Sequence, residues 1–186
     1  MIFLGAPGSG KGTQAKIFAE NNDLVHISTG DLLRSEIASG TKLGTELKQM
    51  VDSGALVPDE IVLELVDKKI DEAKQKNGFI LDGFPRKLSQ AQDLGSLFAK
   101  KHLSLTAVIM FDISDENLLA RLTNRRGSEG RADDSVEVQT NRLKIYQEAT
   151  TPLIDFYKKA GLLVAIDGNG SIEQVQANLK AAVTNR

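Results

Sequence analysis

The sequence predicts an α/β fold of three layers, in which a five-stranded parallel sheet carries helices on both faces. Two observations lead there. Short apolar runs rich in β-branched residues alternate along the chain with amphipathic segments, the order expected of parallel strands joined by crossover helices. Each run is apolar almost throughout rather than at every second residue, as a strand covered on both faces should be. A length of 186 residues supports one core of ordinary size.

The first strand is expected at residues 2–4, and the chain leaves it directly into a glycine-rich loop, with a helix from about residue 10. The second strand is expected at 25–27. Pro58-Asp59-Glu60 then opens a helix, with proline at its first position and acids in its first turn. Ile61, Val62, Leu65, Val66, Ile70 and Ala73 recur along it at steps of three and four, and Asn77-Gly78 ends it. Strands follow at 79–81 and 107–113. A long helical pattern runs from 134 to about 160, with a kink expected at Thr151-Pro152. A strand at 163–166 and a helix from 171 to about 183 complete the order. The last helix opens with the capping pair Ser171 and Gln174. Lys68-Lys69 and Lys100-Lys101 read as solvated helix faces.

Composition excludes several classes. A hydrophobic fraction of 41% and a charged fraction of 26% are those of a globular domain, not of a disordered, collagenous or coiled-coil chain. No stretch approaches the roughly 18 apolar residues of a membrane span. Cysteine is absent, which removes a disulfide framework and a thiolate zinc site and fits a reducing compartment. No charged segment with a cleavage site stands at the N-terminus. A net charge of −2 argues against general coating of nucleic acid, yet leaves room for a local cationic pocket.

Such a pocket is indicated twice. The loop Gly5-Ala6-Pro7-Gly8-Ser9-Gly10-Lys11-Gly12-Thr13 lies between a strand and a helix. Its glycines let consecutive backbone N–H groups converge on a phosphate, and the helix aims its positive end at the same anion. Lys11 reaches the outer phosphates as a point charge. Gly12 stands where a metal-binding Ser or Thr usually follows the lysine, with Thr13 one step later. The arginines give the second indication. Arg34, Arg86, Arg121, Arg125, Arg126, Arg131 and Arg142 lie in or beside glycine- and acid-rich segments, whereas the lysines fall mostly on helix faces. Guanidinium forks grip phosphate oxygens in pairs, so this concentration implies more phosphates than one lysine neutralises. Arg121 and Arg142, carried on helices, are expected to be partly structural. His26 reads as a satisfied core histidine and His102 as exposed.

Three further strings complete a pattern: Ser28-Thr29-Gly30-Asp31-Leu32-Leu33-Arg34, Leu81-Asp82-Gly83-Phe84-Pro85-Arg86 and Gly130-Arg131-Ala132-Asp133-Asp134. With the glycine loop and Gln14, in this order and over essentially the whole chain, they closely resemble adenylate kinases among the nucleoside monophosphate kinases. The resemblance implies a P-loop NTPase-like fold with strand order 2-3-1-4-5. It implies reversible phosphoryl transfer between Mg-ATP and AMP, giving two ADP and balancing adenine nucleotides. It makes residues 1–186 one kinase domain, with a helical AMP-binding region at 28–57 and a short lid at 124–134 in place of the longer, sometimes zinc-bearing, lid. It also implies a cytoplasmic monomer without nucleic acid or membrane partners.

Carried over residue by residue, the resemblance gives Gly8, Ser9, Gly10, Lys11, Gly12 and Thr13 to the ATP phosphates, with Arg125 and Gly170 also on the ATP side. Thr29, Gly30, Arg34, Ala55, Leu56, Val57, Gly83, Phe84, Pro85, Arg86 and Gln90 fall to AMP, Gln90 reading the adenine edge. Arg131 and Arg142 grip the transferring group and the AMP phosphate. Lys11, Arg86, Arg121, Arg125, Arg131 and Arg142 form the catalytic set, and Asp82 holds magnesium through water. No catalytic base is needed, because the accepting phosphate is already ionised. A UMP/CMP kinase is the nearest rival. There alanine typically replaces the threonine matched by Thr29, and an asparagine takes the part of Gln90. A nucleotide-binding module without turnover is the rival of another class, and it would not need the second arginine cluster.

Overall fold

A computed structural model describes residues 1–128 and 135–184, with only the backbone of Lys74 and of residues 124–128. Five parallel strands form one sheet: β1 Ile2–Leu4, β2 Val25–Ser28, β3 Phe79–Asp82, β4 Val108–Asp112 and β5 Leu163–Asp167. Their order is β2-β3-β1-β4-β5, as the resemblance implies. The helices are α1 Lys11–Asn22, α2 Thr29–Ala38, α3 Lys42–Asp52, α4 Asp59–Glu72, α5 Leu88–Lys100, α6 Asp115–Ser128, α7 Val136–Ile145, α8 Thr151–Lys159 and α9 Ile172–Thr184.

The strands alternate their apolar side chains between two cores. Ile2, Leu4, Ile27, Leu81 and Val108 face α2, α3, α4, α5 and α8, where Leu47, Val66, Ile70, Leu94 and Leu153 meet them. Phe3, Ile80, Ile109, Phe111 and Ile166 face the opposite way, onto Ala15, Phe18 and Ala19 of α1 and Val175 and Leu179 of α9. Central β1 is buried at every residue, while the edge strands β2 and β5 are only partly covered. The expectation of strands buried on both faces therefore holds at the centre and weakens at the edges, where one neighbour is missing.

Several boundaries differ from the sequence reading: β2, β3 and β5 each run one residue further, and Pro58 is the N-cap of α4 rather than its first residue. Strand β4 ends at Asp112, and it begins at Val108 rather than 107. The long helical pattern is interrupted before Pro152 by a π-helical stretch, Tyr146–Thr150. Pro152 sits in the first turn of α8, where its missing N–H costs little, so the break falls one turn earlier than expected. The capping pair forms as expected: Ser171 N–H donates to Gln174 Oε1 at 2.8 Å, and Gln174 N–H to Ser171 Oγ at 3.3 Å.

Register decides where chemistry can gather. Asp82 is level with Ser28 on one side and with Phe3 on the other. The ends of β1, β2 and β3 thus open together at the carboxyl edge of the sheet, beside the central strand where the winding reverses.

Candidate active site

A cleft of about 740 Å³ opens at that edge. At one end the glycine loop folds under α1. Gly8 and Gly10 have φ of +88° and +86°, a left-handed backbone that side chains resist. At Gly8 a Cβ would also lie 2.8 Å from the Leu122 side chain. Helix α1 begins at Lys11 with no side-chain cap and no acid in its own first turn, so its positive end is open to the cleft. Lys11 Nζ lies 3.5 Å from the Ala6 carbonyl.

Arg121, from α6, ties this end together. Its Nη1 donates to the Ser9 carbonyl at 3.0 Å, and its Nη2 donates to those of Gly168 at 2.7 Å and Gly170 at 3.1 Å. The structural share expected of Arg121 is therefore large: it clamps the loop to the turn after β5 while one edge still lines the cleft.

Asp82 forms the floor. Burial pushes its carboxyl pKa up, but the hydrogen bond from His26 and the charges of Lys11, His26 and Arg86 outweigh burial and hold it below the usual value. The His26 Nε2 to Asp82 Oδ2 distance is 3.3 Å. His26 is thus satisfied, as the sequence suggested, yet it belongs to the cleft wall and not to the core. It sits on an edge strand, which the apolar run around it did not reveal. Gly12 lets α1 approach this acid, since a Cβ there would stand 3.1 Å from Asp82 Oδ2. Thr29 Oγ1 donates to the Asp82 carbonyl at 3.3 Å, and Gly83, with φ of +81°, leaves room for that hydroxyl.

The other end collects cations. Arg86 Nε donates to the Gly83 carbonyl at 2.8 Å. Burial and then the like charge of Arg142 press its pKa down, Asp82 opposes them, and Arg34 adds to them. Three guanidinium groups therefore feel one another across the cleft, an arrangement that an anion relieves. Arg34 is braced by Asp31 at 2.5 Å. Phe84 is both core and wall: 1% exposed, and facing the cleft.

Gln90 enters the wall from α5. Its Oε1 accepts the Arg86 N–H at 2.7 Å, and its Nε2 donates to Asp59 Oδ1 at 2.8 Å. Thr150, from the π-helical stretch, donates its hydroxyl to the Arg86 carbonyl at 2.9 Å.

The expected residues divide clearly. Gly8, Gly10, Lys11, Gly12, Thr13, Thr29, Gly30, Arg34, Ala55, Leu56, Val57, Asp82, Gly83, Phe84, Pro85, Arg86, Gln90, Arg121 and Arg142 all line one cleft. Ser9 and Gly170 lie behind it, with their carbonyls on Arg121. The side chain of Arg125, and Arg131 and most of the 124–134 segment, lie outside the described residues. Residues the sequence reading passed over include Lys16, Asp31, Tyr146 and Thr150. Asp31 was legible inside its motif. Tyr146 and Thr150 had no local signal, because a turn of π-helix places them.

Comparison with known proteins agrees with the geometry. The family model described as "Adenylate kinase" matches residues 3–162. The chain belongs to the adenylate kinase family. Proteins named adenylate kinase resemble it over nearly their full length. One from Prochlorococcus marinus (strain MIT 9211) is 46% identical over 98% of this chain and 96% of its own. One from Leptospira biflexa serovar Patoc (strain Patoc 1 / Ames) is 47% identical over 94% of both. One from Stenotrophomonas maltophilia (strain R551-3) is 43% identical over 98% of both. As an adenylate kinase family member the chain is a nucleoside monophosphate kinase, a phosphotransferase.

Proposed function

We propose that this cleft holds ATP and AMP end to end and passes one phosphoryl group between them. The reaction is reversible transfer between ATP and AMP giving two ADP, and the pyrimidine-acceptor alternative is not favoured. The observation that carries the site reading is the joining, in one cleft, of a glycine loop and a separate arginine cluster: two anion-binding ends facing one space.

The roles follow from position. Gly8 to Thr13 and the start of α1 cradle the ATP phosphates. Lys11 follows the charge that shifts toward the transferring group. Arg86 and Arg142, with Arg34 beside them, bind the AMP phosphate and hold its oxygen in line for attack. Thr29, Gly30, Ala55, Leu56, Val57, Gly83, Phe84 and Pro85 wall the AMP side. Gln90 keeps one N–H and one acceptor lone pair after its two protein bonds, which suits an adenine edge. Gly170 and Arg125 belong to the ATP side, Arg131 grips the transferring group and the AMP phosphate with Arg142, and the 124–134 segment is a short lid that shields the phosphoryl from water. Residues 28–57 act as the AMP-binding region within a single kinase domain.

Family membership implies magnesium carried with ATP, and the acid present suits it. Asp82 is one ionised carboxylate at the cleft floor beside Lys11, and magnesium takes one or two carboxylates while keeping waters and phosphate oxygens. Among the described residues no three His, Asp or Glu side chains gather into a metal cage of their own. When bound, the ion neutralises phosphate charge. Asp82 would hold the ion's waters, and the hydrogen bond with His26 restrains its carboxylate.

No helix is long and apolar enough to cross a membrane among the described residues. We read the protein as a cytoplasmic monomer serving nucleotide biosynthesis, without zinc or nucleic acid. The test is ADP formation from ATP and magnesium with AMP, CMP, UMP or GMP. Turnover with AMP far above the others supports the reading. A pyrimidine preference overturns the base contacts, and binding without turnover overturns the arginine roles.

A further inference from the structure

We propose that Asp59 is a specificity-positioning residue: it fixes the direction in which the Gln90 carboxamide faces the nucleobase. The proposal rests on the reading of Gln90 as the adenine contact.

A carboxamide can turn end for end at little steric cost, which exchanges its donor and acceptor. Adenine presents a donor at N6 and an acceptor at N1; hypoxanthine presents the reverse. A glutamine free to turn would suit either base. Here two neighbours fix the order. Arg86 N–H can only donate, and it meets Oε1 at 2.7 Å. The Asp59 carboxylate can only accept, and Oδ1 meets Nε2 at 2.8 Å. Turning the amide would set two donors together at one end and two acceptors at the other. Gln90 is 2% exposed, so water does not offset that cost.

Asp59 is itself held. Its Oδ2 accepts from Ser89 Oγ at 3.0 Å and pairs with Lys87 Nζ at 3.0 Å. A helix-opening acid needs none of this. Glu60 also serves the first turn of α4, whereas Asp59 reaches across to α5. The residue lies outside the cleft lining and acts through Gln90.

The experiment measures kcat/KM for AMP and for IMP in the wild type, Asp59→Asn, Gln90→Ala and the double variant. An asparagine can donate or accept, so it removes one of the two penalties on turning. In Asp59→Asn the preference for AMP over IMP should fall about tenfold, roughly the worth of one charged hydrogen bond. KM for AMP should rise, with kcat at saturating AMP and KM for ATP kept. Gln90→Ala should lower the preference further, and Asp59→Asn should change nothing more in that background. An unchanged preference in Asp59→Asn, with Gln90→Ala defective, overturns the proposal and leaves the Gln90 reading standing. An unchanged preference in Gln90→Ala overturns both. Additive losses in the double variant show that Asp59 acts elsewhere, and overturn the proposal. Should Asp59→Asn fail to fold, the wild-type protein still decides. A scalar coupling across the hydrogen bond, between the Arg86 amide nitrogen and Gln90 Cδ, should be present, and its replacement by a strong NOE between the Arg86 N–H and the Gln90 Nε2 protons overturns the assignment.

Discussion

At the glycine-loop end of the cleft, Arg121 commits its guanidinium to three backbone carbonyls, of Ser9, Gly168 and Gly170. At the opposite end, Arg86 makes one bond to a carbonyl and faces the like charges of Arg142 and Arg34, with Asp82 opposing them. The same residue type thus does two jobs. At the loop end it builds the frame that an anion meets. At the acceptor end it brings like charges within reach of one another, an arrangement that an anion relieves. The lesson is that an arginine's position on a cleft wall does not give its role; its hydrogen-bond partners do.

The contrast can be broken by experiment, beginning where the largest effect is expected. Lys11→Ala and Arg86→Ala each remove a cation aimed at phosphate, and ADP formation should fall on the order of 10²–10³ with circular dichroism unchanged. Near wild-type turnover in either would undo that residue's role. Arg86→Ala should leave the urea midpoint nearly unchanged, because the repulsion from Arg142 and Arg34 that it relieves offsets the lost attraction to Asp82. Arg121→Ala should behave differently: stability lower by about 3 kcal/mol in urea titration, since three carbonyls lose a charged donor. If Arg121→Ala proves stable and Arg86→Ala does not, the two roles are reversed.

A backbone test of the acceptor end comes next. A Cβ on Gly44 would stand 2.2 Å from the Glu36 carbonyl, so Gly44→Ala must push α3 off α2. Stability should drop by about 1–3 kcal/mol, and KM for AMP should rise more than KM for ATP. Equal effects on both constants would show that the two ends are not independently built.

The smallest effect is a pH dependence. Burial pushes the Asp59 carboxyl up, but hydrogen bonds from Gln90, Lys87 and Ser89, with the Lys87 charge, hold it below the usual value. A folded-state pKa below the unfolded one gives stability that is present above the unfolded value, about 3.9. That stability is lost as pH falls through the folded value. The stability gap between wild type and Asp59→Asn should therefore stay level from pH 8 to about 5 and narrow below about 4. A gap that widens on acidification would mean the carboxyl binds its proton more readily when folded.

The sequence by itself determined the strand-and-helix order, the glycine loop and the strings around Thr29 and Asp82, because each depends on residues close in the chain. Gly8 had to be glycine for its backbone angle, and Pro58-Asp59 had to open a helix. Length and composition called for one core of ordinary size, and the sheet divides it into two, one on each face. Tertiary structure decided what no local pattern encodes. It brought His26 of an edge strand to Asp82, 56 residues later, on the cleft wall and not in the core that its apolar neighbours predict. It turned Arg121 inward to carbonyls of the glycine loop and of the turn after β5, on opposite sides of it in the chain. It set Thr150 on Arg86 through a turn of π-helix. It joined Asp59 to Gln90 across two helices. Hydrogen bonds between distant residues exist only once the sheet register has brought their strands and helices side by side. That register is fixed by burial of the whole core rather than by any one motif.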